Sequence, residues 1–383
     1  MIEGVYMQNK LNDSYNLLTS DILKDCVSKI VGEKMISIKQ VDVESIAGHS
    51  INFITDGIFR LSGTAYIQEK EVPWSLVLKI IKRAEEEKNN PMHHNYWKRE
   101  ALVNQTNILN AFADVFYVPQ CYKVEEKENG TIWLWMEEIK QNDQLDWSEE
   151  DFAFIARQLG IFNGIYLNKK IVHKEPWICQ QWLKSWVDGC TKYAVNPEQY
   201  YPLVQDTEIK HLYVDYVNLH KDIHTIFQSL QRLPQVLAHQ DLSIQNMFIQ
   251  NHKHWTLIDW QFLSISALGE DLGKLFGVAL SQQNIPYEQG EYYENLLFKN
   301  YLVGLKQGGW NGDVKEARYG FCSSFALRSA WEMPKLLKLA AEANDSKAHE
   351  IKKLKYITKL QMTLGKEAMG LYYKNPVLHT KKY

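Results

Sequence analysis

The chain has 383 residues, more than one hydrophobic core usually supports, so two lobes or domains are expected. Hydrophobic residues make up 45%, which excludes wholesale disorder, and a net charge of -3 without a basic stripe argues against a nucleic-acid binder. The opening MIEGVYMQNK holds no apolar signal core, and no apolar run reaches the roughly 18 residues of a membrane span, so a cytoplasmic chain without membrane contact is expected.

Thr19-Ser20-Asp21 ahead of Ile22, Leu23, Val27 and Ile30 predicts a capped amphipathic helix. From 36 to 82 the period shortens: ISIKQVDVESI, GIFRLSGTAYIQ and WSLVLKIIK read as three strands punctuated by Gly48, Gly57 and Gly63. The polar EEEKNNPMHHN is a loop, and YWKREALVNQTNILNAF is a helix burying Trp97, Ala101, Ile108 and Leu109. VPQCYKVEEKENGTIWLWMEEI reads as two strands joined by a turn at Glu128-Asn129-Gly130, giving a five-stranded, mostly antiparallel sheet with one inserted helix. Beyond 140 the pattern becomes helical. Ser148-Glu-Glu-Asp151 resembles a capping box ahead of Phe152, Ile155, Leu159 and Phe162, and helices follow near 177–190 and 208–230. A hairpin is predicted across NMFIQ-NHKH-WTLIDW, and 271–372 reads as nearly all helix.

Cysteines 26, 121, 179, 190 and 322 form no Cys-x-x-Cys pair and read as reduced, mostly buried thiols. His93-His94 and His252-Lys253-His254 read as surface histidines rather than zinc ligands, and Lys352-Lys353-Leu354-Lys355 as a solvated helix face.

The chemistry gathers in LAHQDLSIQNMFI. Here His239, Asp241 and Asn246 follow the apolar Val236-Leu237-Ala238, and a second acid, Asp259, sits in the apolar Leu257-Ile258-Asp259-Trp260. Two carboxylates and an amide at strand ends are hard oxygen donors suited to a divalent ion. In LVLKIIK, Lys79 stands inside an apolar run, where a cation is costly unless paired, and Glu100 in WKREALV is its candidate partner.

His239-x-Asp241-x-x-x-x-Asn246 is similar to a kinase catalytic loop, and Ile258-Asp259-Trp260 resembles the strand-end metal aspartate of small-molecule kinases. Over residues 35 to 275 the chain resembles the aminoglycoside phosphotransferase and choline kinase-like family. That resemblance implies an α+β, bilobal protein-kinase-like fold. It would comprise an N-terminal helical segment (1–35), a nucleotide-binding N-lobe with a small antiparallel β-sheet and one inserted helix (36–136), a connector (137–141) and a large, mainly helical C-lobe (142–383). It also implies Mg²⁺-ATP-dependent transfer of the γ-phosphate to a small-molecule hydroxyl, with GTP an alternative donor. Asp241 would be the catalytic base, Asn246 and Asp259 the Mg²⁺ ligands, and Lys79, paired with Glu100, the contact to the α/β phosphates. His239 and Asp271 would support the loop, with an N-cap role open to Asp271 as well. The loop from Ala47 to Gly57 lacks Gly-x-Gly-x-x-Gly, so phosphate contacts would come from backbone N–H groups and from Ser50, Asn52 and Thr55. The backbones of Glu137 and Ile139 would meet adenine.

The acceptor is less legible. Trp177, Trp182 and Trp186 at helical spacing and Trp331-Glu332 would suit a cationic amino alcohol, and Glu288, Glu291 and Glu294 an aminoglycoside, while ordinary core and surface roles compete with both. The rival functions are a kinase acting on a protein or coat component and a catalytically silent kinase-like binding protein. A metal hydrolase built on Asp241 and Asp259 lacks histidine ligands and leaves Lys79 and Glu100 unexplained.

Overall fold

The computed structural model describes residues 20–46, 54–140, 147–250 and 252–375. Helix α1 (Asp21–Val31) opens where Ser20 Oγ accepts from the Leu23 N–H at 3.3 Å, and it closes at Gly32 with φ 72°. The five-stranded sheet follows: β1 (Ser37–Ser45), β2 (Thr55–Ile67), β3 (Lys70–Ile81), β4 (Cys121–Glu126) and β5 (Ile132–Glu137). Its order is β1-β2-β3-β5-β4 and every pairing is antiparallel. Gly63 faces the irregularity between Ile38 and Gln40, where an added Cβ would lie 2.0 Å from the Gln40 carbonyl oxygen, so only glycine fits the approach.

The two-residue period of β3 sorts its side chains. Leu76, Leu78 and Ile80 join Phe59, Leu61, Trp133 and Trp135 under Leu23, Cys26 and Val27 of α1. Ile81 packs on the other face with Ile54, Ile132, Leu134, Trp97 and Ala101, and Lys79 shares that face. Thus the strand's alternation alone aims Lys79 at the inserted helix α2 (Arg99–Gln105). The expected longer helix stops there: Thr106 turns its hydroxyl onto the Val103 carbonyl, and a short 3-10 turn at Asn110–Phe112 follows. The β4–β5 turn falls at Glu128-Asn129-Gly130, as expected. Gly130 alone of the three turn residues has positive φ, with Gly130 N–H bonded to Lys127 O and Lys127 N–H to Thr131 O, a three-residue loop ending in a glycine bulge.

The C-lobe starts with α3 (Glu149–Asn168), whose Ser148/Asp151 pair forms the reciprocal capping box. Helices α4 (Trp182–Tyr193), α5 (Thr207–Lys221) and α6 (Ile223–Arg232) lead to two small hairpins. Strand β6 (Gln235–Ala238) pairs with β9 (Ser264–Ala267), and β7 (Met247–Gln250) with β8 (His254–Leu257). Five helices complete the lobe: α7 (Glu270–Ser281), α8 (Gly290–Gln307), α9 (Val314–Leu327), α10 (Ser329–Ala341) and α11 (Ala348–Lys374). Glycines bring α3 and α8 together; a Cβ on Gly304 would sit 2.0 Å from the Arg157 carbonyl oxygen.

Two surface expectations fail. His94 is buried, stacked on His93 with its Nδ1 2.9 Å from Ser185 Oγ, and Gly189 leaves the room for its ring. Lys353 is also buried, with Nζ 2.7 Å from Glu350, because the long helix α11 turns it toward the Ser281 carbonyl. Four of the five cysteines are buried, as expected.

Candidate active site

The loop from His239 to Asn246 is held from below. Helix α7 is buried from Glu270 to Leu280, and Asp271 accepts the backbone N–H groups of His239 (2.8 Å) and Gln240 (3.0 Å). Asp271 is therefore a brace; the N-cap position belongs to Gly269, at φ 90°. Gln240 takes φ 61°, the left-handed region that a side chain adopts only when its surroundings enforce it. Its amide donates to Ser266 Oγ at 2.9 Å and to Glu270 Oε1 at 2.7 Å, and burial pushes the Glu270 carboxyl up to about 7.

His239 is fully enclosed, and its bonds define its tautomer. The Asp241 N–H can only donate, so Nδ1 accepts it (3.2 Å); the Ile258 carbonyl can only accept, so Nε2 carries the proton (2.9 Å). Burial lowers its pKa and favours this neutral form. One ring thus fixes both the loop of Asp241 and the strand end of Asp259. A further bond, Ile258 N–H to the Asn246 carbonyl at 3.1 Å, ties the same two segments.

Asn246 donates its amide N–H to Asp241 Oδ2 and to the Asp241 carbonyl, both at 3.0 Å, which turns its own Oδ1 away from Asp241. Asp259, at φ 62°, accepts from Lys79 Nζ on its Oδ1 at 2.9 Å. Lys79 also meets Glu100 at 2.7 Å, so the predicted pair is present and Asp259 joins it. Burial works against the Lys79 charge, but the Asp259 and Glu100 carboxylates outweigh it and the net shift is upward. Glu100 moves the opposite way from an ordinary ion-paired acid: burial, with Asp259 nearby, pushes it up to about 7 despite Lys79. One ammonium between two carboxylates explains both directions. Burial likewise raises Asp241, against the pull of Lys274.

Lys79, Glu100, Asn246 and Asp259 line one interlobe cavity of about 1430 Å³, together with Thr55, Met136, Glu137, Glu138 and Ile139. The Glu137 N–H is already bonded to the Gln120 carbonyl at 2.8 Å, so that donor is taken. Ser50 and Asn52 lie outside the described residues. Among the described residues no cluster of three histidines, cysteines or acids could hold a metal by itself. Asn246 Oδ1 and the Asp259 carboxylate are hard oxygen donors, a set that fits Mg²⁺ sharing its shell with phosphate and water.

The acceptor residues are not gathered as expected. Trp331 is 46% exposed while Glu332 is 3% exposed, because neighbours on a helix point about 100° apart. Glu294 is buried against Arg318, and Glu288 pairs with Lys352 at 3.4 Å on the surface. Two basic residues went unread. Lys274, alone among apolar neighbours in DLGKLFGVAL, lies 3.8 Å from Asp241 Oδ1, and the argument that found Lys79 applies to it equally. Arg99, fully buried, donates to the carbonyls of Pro91, His93, His94 and Gln261 at 2.8 to 3.2 Å, joining α2 to the segment after Asp259.

A β-sheet lobe and a helical lobe closing on a lysine–glutamate pair, an aspartate–asparagine loop and a strand-end aspartate define a phosphotransferase of the protein-kinase-like fold. Residues 98–296, just over half the chain, match the family model described as choline/ethanolamine kinase, and the chain belongs to that family. It is accordingly a phosphotransferase with an alcohol group as acceptor. The match begins at the inserted helix, so strands β1 to β3, with Lys79, lie before it and β4 and β5 within it. Among solved structures, an amicoumacin kinase in complex with AMP-PNP, Ca²⁺ and Ami superposes with a TM-score of 0.53 at 14% identity, covering 94% of this chain and 96% of that one. A choline kinase from Cryptosporidium parvum Iowa II gives a TM-score of 0.48 at 14% identity, covering 88% and 91%. At 14% identity the likeness to the amicoumacin kinase is one of fold. No curated protein sequence matches the chain.

Proposed function

We propose that the chain transfers the γ-phosphate of ATP, with Mg²⁺, to a hydroxyl of a small molecule, and that Asp241 is the base. The observation that carries this reading is the convergence of Asp241, Asn246, Asp259 and Lys79 through two shared bonds, Asn246 to Asp241 and Lys79 to Asp259. Lys79 would hold the α/β phosphates, and Glu100 keeps its ammonium aimed at them. Asn246 and Asp259 would hold Mg²⁺, which neutralises phosphate charge during transfer. Asp241 would orient the acceptor hydroxyl and take its proton; the raised pKa that burial gives it makes it a better proton acceptor than a solvated carboxylate. The Glu137 carbonyl and the Ile139 N–H would meet adenine, with Ser50 and Asn52 reaching the phosphates. In this scheme residues 36–136 form the nucleotide lobe, 137–141 the connector and 142–383 the acceptor lobe.

The test is Asp241→Asn. ADP release in the presence of an accepted hydroxyl compound should fall by about 10²-fold or more, with nucleotide affinity kept within about threefold. Undiminished turnover removes Asp241 from its role. Nucleotide binding by the parent with no transfer to any hydroxyl compound turns the reading toward a silent kinase-like binder.

A further inference from the structure

Lys274 lies against Asp241, and Arg328 is a second cation in the neighbourhood of Lys274. Lys274, one turn into α7, places Nζ 3.8 Å from Asp241 Oδ1 and 5.2 Å from the centre of the Trp182 ring. Arg328, at the junction of α9 and α10, runs across Gly277, where a Cβ would lie 2.3 Å from its Nε, and its guanidinium is 5.2 Å from the Trp186 ring. Trp182 and Trp186 stand one turn apart on α4 with their rings near parallel, 9° apart and 6.3 Å between centres. An aromatic pair beside the acceptor position is the kind of surface that recognises an ammonium group. Here the protein's own cations lie over both rings.

Both cationic side chains are 10% exposed. Neither reaches a carboxylate at hydrogen-bonding distance: Lys274 stops 3.8 Å from Asp241, and Arg328 3.8 Å from Glu332. Among the described residues, the buried Arg328 Nε has no hydrogen-bond partner. Buried cations paired this loosely are costly, and the cost falls when an anion is bound between them. The titration behaviour agrees. Burial and the neighbouring Arg328 push Lys274 down to about 8, against Asp241, Asp271 and Glu332, while burial raises Glu332 itself.

We infer that Lys274 and Arg328 form a subsite for an anionic group on the acceptor, a carboxylate or a phosphate, so that the substrates are small hydroxyl compounds bearing an acid group and not choline-like or aminoglycoside cations. This rests on the reading of Asp241 as the base, which places the acceptor hydroxyl beside Lys274. Arg328 grips the anion in the plane of its guanidinium, Lys274 bridges anion and Asp241, and the tryptophans form the apolar wall.

The test uses the full chain with saturating Mg²⁺-AMP-PNP. Thermal unfolding is followed with millimolar acetate, inorganic phosphate or tetramethylammonium at constant ionic strength, in the parent and in Lys274→Met. Methionine matches the stem and removes a buried charge, so the variant keeps its fold. One of the two anions should raise Tm in the parent and not in Lys274→Met, which also tells carboxylate from phosphate; tetramethylammonium should do nothing. ADP release with D-glycerate, L-serine and glucose 6-phosphate is then compared with choline, ethanolamine and kanamycin. The accepted compound should come from the acidic set, with KM raised roughly tenfold or more in Lys274→Met. Stabilisation by tetramethylammonium, no effect of either anion, or turnover of choline or kanamycin overturns the subsite. If Mg²⁺-AMP-PNP itself fails to stabilise the chain, the kinase reading fails first; an intact nucleotide shift without an anion shift overturns the subsite alone.

Discussion

Replacing Lys79 by methionine removes the one ammonium between two carboxylates. Glu100 is 3% exposed and Asp259 20%, so Asp259 keeps contact with water and Glu100 bears most of the loss. Glu100 already has its folded pKa raised from 4.5 to about 7. A carboxyl raised on folding weakens stability as pH climbs from its unfolded to its folded pKa, and no further beyond that. Below about pH 7, then, Glu100 is protonated in both folded proteins and their stabilities differ only by the lost contacts. Above it the parent can ionise Glu100 against Lys79, while the variant must keep the proton. The variant's deficit should therefore widen by up to about 1.4 kcal/mol per pH unit above neutrality. By pH 9 it should reach about 3 kcal/mol, the scale expected for breaking a buried ion pair. Urea unfolding of both proteins between pH 5 and 9 measures this. A deficit that stays flat from pH 6 to 9 would refute the pairing of Lys79 with Glu100.

Two further substitutions probe the scaffold. Asp271→Ala strands the His239 and Gln240 N–H groups, so stability should fall by about 2–4 kcal/mol in urea unfolding, and turnover should fall more than nucleotide affinity. Unchanged turnover would show that the brace does not matter. Gly304→Ala drives a methyl into the Arg157 carbonyl and should cost about 3 kcal/mol, whereas Gly370→Ala meets nothing within 4 Å and should be neutral or stabilising; equal effects would deny the close packing of α3 on α8.

What the sequence disclosed follows from the range of each interaction. Asp241, Asn246 and Asp259 were legible because they follow or precede short strands at fixed spacing: Asp241 comes just after β6, and Asn246 and Asp259 flank the β7–β8 hairpin, whose pairing brings them together. Lys79 and Glu100 were legible because a charge inside an apolar strand demands a partner, and one helix was inserted to supply it. Lys274 sent the same signal from α7, but it falls in a stretch whose helical period was the stronger pattern. Arg99 was illegible for another reason. Its acceptors are backbone carbonyls, at Pro91, His93, His94 and Gln261, and these have no letter in the sequence. Asp271 was legible as a support of the loop, while its rival role as a cap needed the fold, which puts Gly269 at the cap position and Asp271 on the His239 and Gln240 N–H groups. The tryptophans at 182 and 186 had the spacing of a cation site; only the structure shows Lys274 and Arg328 already over them.

We propose that this cavity binds a nucleotide together with a divalent ion held by Asn246 and Asp259. Such binding is tested most directly by thermal unfolding of the chain with ATP, with GTP and with neither, each with and without Mg²⁺. A ligand at one hundred times its Kd adds about 2.7 kcal/mol to the stability of the folded state. A Mg²⁺-dependent rise in Tm with ATP or GTP, absent in Asp259→Ala, is the predicted result. No shift with either nucleotide at millimolar concentration, or a shift indifferent to Mg²⁺ and to Asp259, would contradict it.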